Sequence, residues 1–487
     1  MSSFSFPIVG LVVAVFVLIF LVLRTRVHAL IAMILAACIA GFTGGLSVTA
    51  TLDAITRGFG STLGTIGIVI GLGVMMGRIL EISGAADQIA HFFIQWLGRR
   101  KEEWALALTG YLVSIPIFAD SAFIILFPIS SALAKKAGLS VLSLGVALAG
   151  GLIATHTLVP PTPGPLGVAG LFGVDVGEMI LLGLSLAVPC TLSFVWYAKW
   201  LAKKYPGFID PAPTSEIPEP DYEKHFNDRT GKALPGLTVS LLPIVVPILL
   251  IMIKSAISLF PSLSADQSAP VYWIVTAFHF LGSPIIALCI STLLAVYTLV
   301  PHLDRRQTAT KLEEGLQSAG IILMVTGAGG ALGFVVRESG TGAQIADQIS
   351  RLPFSPVMIP FFVASAMRLI QGSATVAMIT SASITAPILQ QVPGVNMLFA
   401  AQAAAIGGFL FSYFNDSLFW VVNRMIGVTD TRQQIMAWSV PTGISWAVGG
   451  ILIALINLIW GSGGSWLDPV IPGLILAILL ATAFSTK

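Results

Sequence analysis

Charge is what this chain has least of. Only 10% of its 487 residues are Asp, Glu, Lys or Arg, against roughly 25% in soluble domains. A soluble protein of that composition would have too little polar surface to face water. The net charge of +2 gives no electrostatic footprint for nucleic acid. Cysteine is nearly missing: Cys38, Cys190 and Cys289 sit singly in apolar runs and read as small hydrophobes, not as a disulfide or metal set. There is no His-Glu-x-x-His zinc pattern, and the Gly231-Lys232 pair has no P-loop frame. An enzyme is therefore not expected, nor a metal or cofactor. No basic residue precedes the first apolar run, since Arg24 is the first charge; this argues for a retained first helix over a cleaved signal peptide.

Hydrocarbon fills the place of charge. Hydrophobic residues make up 56% of the chain, and its mean hydropathy is +0.92. Apolar runs cover residues 7–23, 29–46, 141–156, 179–197, 237–259, 271–300, 438–460 and 469–484. Crossing a ~30 Å hydrocarbon core takes about 20 residues. With the shorter and broken segments, about ten to fourteen crossings are expected, in an all-α polytopic membrane protein. Arg24, Arg26 and His28 follow the first run, which puts that end in the cytoplasm and the N-terminus outside.

One stretch occurs twice. Residues 69–90 (VIGLGVMMGRILEISGAADQIA) and 325–346 (VTGAGGALGFVVRESGTGAQIA) align without a gap at an offset of 256. A solenoid needs a shorter period and more copies; two copies of an apolar unit in a membrane point to a transporter built from two repeats, one inverted if an odd number of crossings separates them. The repeated glycines Gly71, Gly73 and Gly77, with Gly327, Gly329 and Gly333, read first as sites of close helix packing. Ser83-Gly84 and Ser339-Gly340 read as helix stops, and an interfacial turn is expected near residues 99–103. Residues 201–235 hold 11 of the 48 charged residues and six prolines, and read as a hydrophilic linker between halves 1–200 and 236–487. Lys199, Lys203 and Lys204 place it in the cytoplasm. Each half opens with ordinary spans (7–46 and 237–300), continues through the Gly-rich helix and the broken segments (62–200 and 317–460), and the second adds a last span at 469–485.

The broken segments carry the polar groups. In YLVSIPIFADSAFIILFPISSALAK (111–135) the polar centre is residues 119–122, between Pro116 and Pro128. An ionisable residue in an apolar stretch, here Asp120, is by default a functional hypothesis; the bland alternative is a surface loop. The picture is two half-helices meeting at a polar tip around a cavity. The counterpart is FFVASAMRLIQGSATVAMITSASITAP (361–387), with Gln371, Gly372, Ser373 and Thr375 at its centre and Ser373-Ala374 at an offset of 252 from Ser121-Ala122. Exposed backbone donors and hydroxyls at such a break suit a carboxylate, a polyol or a dehydrated ion. Arg368, one turn earlier, needs an anion: Asp120, Asp416 or a substrate carboxylate, so a structural ion pair stands beside substrate binding. A second pair of broken helices is GGLIATHTLVPPTPGPLGVAG (150–170), with Thr155 and His156 before four prolines, and GGFLFSYFNDSLFWVVNR (407–424), with Asn415 and Asp416. The ordinary pKa of an imidazole lies near neutral pH, which makes His156 a candidate for proton coupling.

At these residues the chain resembles the gluconate permease family, which carries sugar acids with protons. The likeness covers roughly residues 60–460. It rests on Phe118–Leu126 around Asp120, on His156 ahead of Pro160-Pro161-Thr162-Pro163-Gly164-Pro165, on Arg368–Ala377 (RLIQGSATVA), and on Asn415-Asp416-Ser417-Leu418-Phe419-Trp420. Thr162 stands where the family usually has His, and Ala119, Ser121 and Ala122 depart from Phe, Val and Gly, which touches the choice of substrate. The wider superfamily implies two re-entrant hairpins, a homodimer and an elevator-like movement. The resemblance implies a secondary active transporter of the bacterial inner membrane, importing a small hydroxylated carboxylate by proton symport. Arg368 with Gln371, Gly372, Ser373 and Thr375 would hold the carboxylate; Asp120, Ser121, Thr155 and Asn415 would hold hydroxyls; Asp120, His156 or Asp416 would take the proton. The competing reading is sodium coupling or ion exchange.

Overall fold

The computed structural model describes residues 6–98, 100–204, 234–258, 260, 270–342, 344, 353–461 and 463–485, and every regular element among them is helical. The first half contains α1 (Phe6–Arg24), α2 (Ala29–Thr43), α3 (Val48–Ile82), α4 (Ala85–Leu97), α5 (Glu102–Val113), α6 (Ala119–Ala137), α7 (Val141–Leu158), α8 (Pro163–Phe172) and α9 (Val176–Lys204). The second contains α10 (Leu237–Ser258), α11 (Pro270–Leu281), α12 (Pro284–Leu299), α13 (Arg305–Glu338), α14 (Ile359–Gln371), α15 (Ala374–Leu389), α16 (Met397–Gly407), α17 (Ser417–Ile426), the single turn α18 (Thr431–Gln434) running through a π-helical turn (Ile435–Ser439) into α19 (Val440–Trp460), and α20 (Val470–Ser485). Most of the linker at 201–235 and part of the second repeat copy lie outside the described residues; Leu201–Lys204 continue α9.

Among the described residues six helices are long and apolar enough to cross a membrane, and seven if a bent pair counts as one. Six further apolar helices have only 10–17 residues. The ten to fourteen expected crossings thus resolve into full spans and short segments. The run at 271–300 is not one straight span: Val271–Leu281 and Pro284–Leu299 meet at 69°. Gly282-Ser283 followed by a proline at the start of the next helix explains the bend.

The long helices carrying the repeated sequence, α3 and α13, are antiparallel partners. Ser47 caps α3 through its hydroxyl, and Asp304 with Gln307 forms a capping box on α13. Both helices stop where expected, at Ser83 before Gly84 and Ser339 before Gly340. A Cβ on Gly330 would lie 1.9 Å from Thr62 Oγ1, and one on Gly58 would lie 2.6 Å from Gly330 O, so the pair packs at backbone contact. At its other end Arg78 bonds Glu81 at 2.9 Å and Glu314 at 2.6 Å, and Lys311 joins Glu314 at 2.8 Å. The repeated glycines also admit the broken segments: a Cβ on Gly77 would lie 2.3 Å from Pro116 O, and one on Gly329 would lie 2.0 Å from Ser383 Oγ.

Contacts at the helix ends define two faces. On one, Lys199 near the end of α9 pairs with Glu103 at the start of α5 at 3.6 Å, and the end of α3 lies against Leu234 and Pro235 before α10. On the other, Asp175 before α9 pairs with Lys254 near the end of α10 at 3.2 Å, and Asn457 near the end of α19 donates to Ser355, whose N–H donates to Asp468. The first face carries Arg100, Lys101, Lys199, Lys203, Lys204, Arg305 and Arg306; by the excess of basic residues it is cytoplasmic. Helix α5 therefore starts from the cytoplasmic face and α14 from the opposite one, as two inverted repeats require. Ser381 of α15 donates to Pro360 O of α14 at 2.8 Å, so these two helices fold back on each other as a hairpin.

Candidate functional site

Three helices begin around one cavity of ≈ 530 Å³. Each begins there for a local reason. The chain turns through Ser114–Phe118, where the Ser114 hydroxyl donates to Ile117 O, and α6 starts at Ala119 with Asp120 and Ser121 in its first turn. The break in the first hairpin thus precedes Asp120, and Pro128 lies inside α6 without ending it. Helix α14 stops at Gly372, whose φ of +75° and whose 2.1 Å distance from a built Cβ to Asn415 O leave no room for a side chain. Ser373 then caps α15. Asp416 caps α17 through Oδ1, which accepts from Leu418 N at 3.2 Å. First-turn N–H groups and the positive ends of three helix dipoles therefore surround the same space.

Every site residue read from the sequence lines this cavity except Thr155. Thr155 is fully buried and donates to Gly151 O, one turn back in α7. Next to it, His156 does reach the cavity: its ring packs on Phe118 at 5.6 Å, and its Nδ1 is buried with no partner among the described residues. Thr162, in the Pro-rich break after α7, donates to Val159 O at 2.7 Å and lies 2.9 Å from His156 O. It fastens the end of α7 and is not among the lining residues.

The two acids are held differently. Asp416 is the anion that Arg368 requires: Nη2 meets Oδ2 at 2.5 Å, with both side chains buried. Oδ2 also accepts from the Ser412 hydroxyl, which in turn accepts from Trp438 Nε1 at 2.9 Å. Arg368 Nη1 donates to Gly372 O, so the guanidinium also closes the break in its own chain. Asp416 is thereby saturated by an ion pair, a hydroxyl and a cap. Among the described residues Asp120 has one side-chain hydrogen bond, from the Ser417 hydroxyl at 2.7 Å. That bond joins the halves, and nothing in the sequence singled out Ser417 beyond its place next to Asp416. Sequence reading also missed Ser412 and Trp438, whose hydroxyl and indole carry no pattern of their own.

Several polar atoms in this wall are left unpaired. Arg368 Nε and both amide atoms of Gln371 are buried without a partner among the described residues, as is His156 Nδ1. Buried polar atoms are normally satisfied, so a ligand or water is expected to meet these. Asn415, by contrast, donates to Leu369 O at 3.1 Å, and the Tyr413 hydroxyl donates to the same carbonyl. Among the described residues no group of three or more His, Cys, Asp or Glu could hold a metal.

The profile of the GntP family permeases matches residues 6–459. An uncharacterised permease of Haemophilus influenzae is 59% identical over 480 residues, covering 99% of this chain and 98% of its own. A gluconate permease of Pseudomonas aeruginosa is 32% identical over 463 residues, covering 94% and 99%. Among solved structures, MtrF of Neisseria gonorrhoeae, described in a study of antimetabolite efflux pumps, has the same fold. It superposes with a TM-score of 0.60 at 13% identity, over 91% of this chain and 97% of its own.

Proposed function

The chain belongs to the GntP permease family, and from that membership we propose that it imports a small hydroxylated carboxylate, gluconate or a related sugar acid, by proton symport. It is a multi-pass inner-membrane permease and not an enzyme. The observation that carries the substrate reading is the meeting of three helix N-termini and several orphaned polar atoms in one cavity. Helix N-termini favour anions. The substrate carboxylate binds at the starts of α15 and α17, near Ser373 and the Gln371 amide, with Arg368 Nε as a further donor. Ser121, Thr375 and Asn415 meet its hydroxyls. Arg368 holds the break in shape through its other nitrogens, and Thr155 shapes α7 without touching substrate.

Coupling follows from Asp120. An ionised Asp120 and a substrate carboxylate are like charges in one cavity and repel; neutralising Asp120 removes the repulsion. Proton and anion then bind together, which is the thermodynamic content of symport. Asp120, with its one hydroxyl partner, carries the proton. His156 is the second candidate, and the saturated Asp416 the last. The cargo moves when the hairpins and broken helices (62–200 and 317–460) slide against the spans at 7–46 and 237–300, in an elevator-like step with each hairpin re-entrant from its own face.

Proteoliposomes test this. With a pH gradient and no sodium, labelled gluconate accumulates, and a protonophore abolishes the accumulation. Uptake that needs sodium and ignores the protonophore supports the competing ion-coupled reading and overturns this one.

A further inference from the structure

A second cavity, of ≈ 270 Å³, lies in the seam between α3 and α13 on one side and α8 and α15 on the other. Its polar wall consists of Ser61, Thr62 and Thr65 from α3, Arg337 from α13, and Ser383 and Gln390 from α15 and its end. It belongs to the face opposite the basic one. Gly173 in its lining is two residues from Asp175, and Arg337 is two residues from Ser339, which packs on Gly44 at the end of α2. By the distribution of basic residues this face is outside.

The chemistry of the wall is specific. Arg337 lies over the ring of Phe334, 4.6 Å from its centroid, and has no carboxylate partner among the described residues. A guanidinium stacked on its face keeps its edge donors for a planar anion. The end of α13 does not use them up, since its last carbonyls already accept from Ser339 N and Gly340 N. The remaining groups face the cavity mainly as acceptors. The Thr65 hydroxyl donates to Ser61 O at 2.8 Å and that of Ser383 to Ile379 O at 2.7 Å, which leaves their lone pairs. Gln390 Nε2 is directed at Leu171 O and Phe172 O, which leaves Oε1. One cation beside several acceptors fits a ligand with one anionic group and several hydroxyl donors. The volume is under the ~300 Å³ typical of the smallest drug-sized sites, so the ligand is small.

We propose that this cavity is an outer docking site for the transported hydroxylated carboxylate, with Arg337 as its recognition cation. The proposal rests on the import reading above and adds a second, external station to it.

Two measurements test it. In right-side-out vesicles Arg337→Gln raises the KM for gluconate entry about tenfold with kcat little changed, and Arg337→Lys recovers most of the loss. In inside-out vesicles the same variant leaves KM unchanged. Equal effects from both sides, or none from outside, overturn the proposal. Independently of turnover, Ser61→Cys in a cysteine-free background is labelled by an impermeant maleimide added outside. Millimolar gluconate slows that labelling severalfold, still does so when Asp120→Asn abolishes proton-driven accumulation, and fails to do so with Arg337→Gln. Absence of protection overturns the docking site. Protection without proton-driven uptake overturns the symport reading and leaves the docking site standing.

Discussion

At the tip of the first hairpin a carboxylate has one hydroxyl partner among the described residues, while at the tip of the second a guanidinium is tied to a carbonyl and a carboxylate. Asp120 and Gly372 occupy matching positions, 252 residues apart, and the hairpins that carry them start from opposite ends of the helix bundle. The shared geometry brings helix N-termini to one cavity; the residues placed on it tie one tip through an ion pair and a carbonyl and give the other a single hydroxyl partner among the described residues. Inverted repeats are related by a symmetry of the backbone, and the two tips differ in the side chains placed on it.

The strongest way to break this comparison is to unlock the second tip. Arg368→Ala leaves Asp416 buried without its cation and Gly372 O without a donor; roughly 3–5 kcal/mol of destabilisation is expected, read as loss of folded protein in a detergent melting assay. Asp416→Asn, which strands the Arg368 charge, lands in the same range. Next comes the free tip. Asp120→Asn removes one hydrogen-bonded charge from a cavity wall and should melt within about 1 kcal/mol of the parent, yet it abolishes pH-driven accumulation while substrate exchange persists. If Asp120→Asn and Asp416→Asn behave alike in both assays, the distinction between a locked and a free tip is wrong.

Smaller effects probe the frame that holds the tips. A side chain on Gly330 must displace Thr62 and the backbone of Gly58, so Gly330→Ala costs about 1–3 kcal/mol. At Gly64 a Cβ meets nothing within 4 Å, and Gly64→Ala is neutral or stabilising by up to ~1 kcal/mol. Equal melting shifts for the two would remove the case for backbone contact between α3 and α13. The smallest effect lies at the outer joint of α9 and α10. Burial acts to raise the Asp175 carboxyl, but the Ser255 hydroxyl and Lys254 outweigh it and hold the group below its usual range. A depressed folded pKa contributes stability above the unfolded value near 3.9 and loses it as pH falls through the folded one. Lys254→Ala should cost under 1 kcal/mol at neutral pH, with the difference from the parent closing in acid.

Much of the candidate site was legible because membranes penalise polarity. Asp120, His156, Arg368 and Asp416 stand out in a chain with 10% charge, and the repeat offset by itself pairs the breaks. That Thr155 lies off the cavity is not legible for a physical reason: α7 is buried on almost every side, so its sequence has no polar face from which to phase the helix, and neighbouring residues at 155 and 156 cannot be told apart. The partner of Arg368 was ambiguous because three anions competed and the winner lies 48 residues away. Ser417 and Ser412 went unseen because hydroxyls are as common on packed helices as at sites.

Composition and repetition alone determined that this is a membrane protein of two related halves with polar breaks, since hydropathy, helix length and duplication are properties of the chain itself. Only the tertiary structure decided which acid pairs with Arg368, which side of α7 meets the cavity, and that α5 and α14 start from opposite ends of the helix bundle. Those outcomes depend on distances between segments far apart in sequence, and close packing in a low-dielectric interior, where one ion pair excludes another, makes the choice.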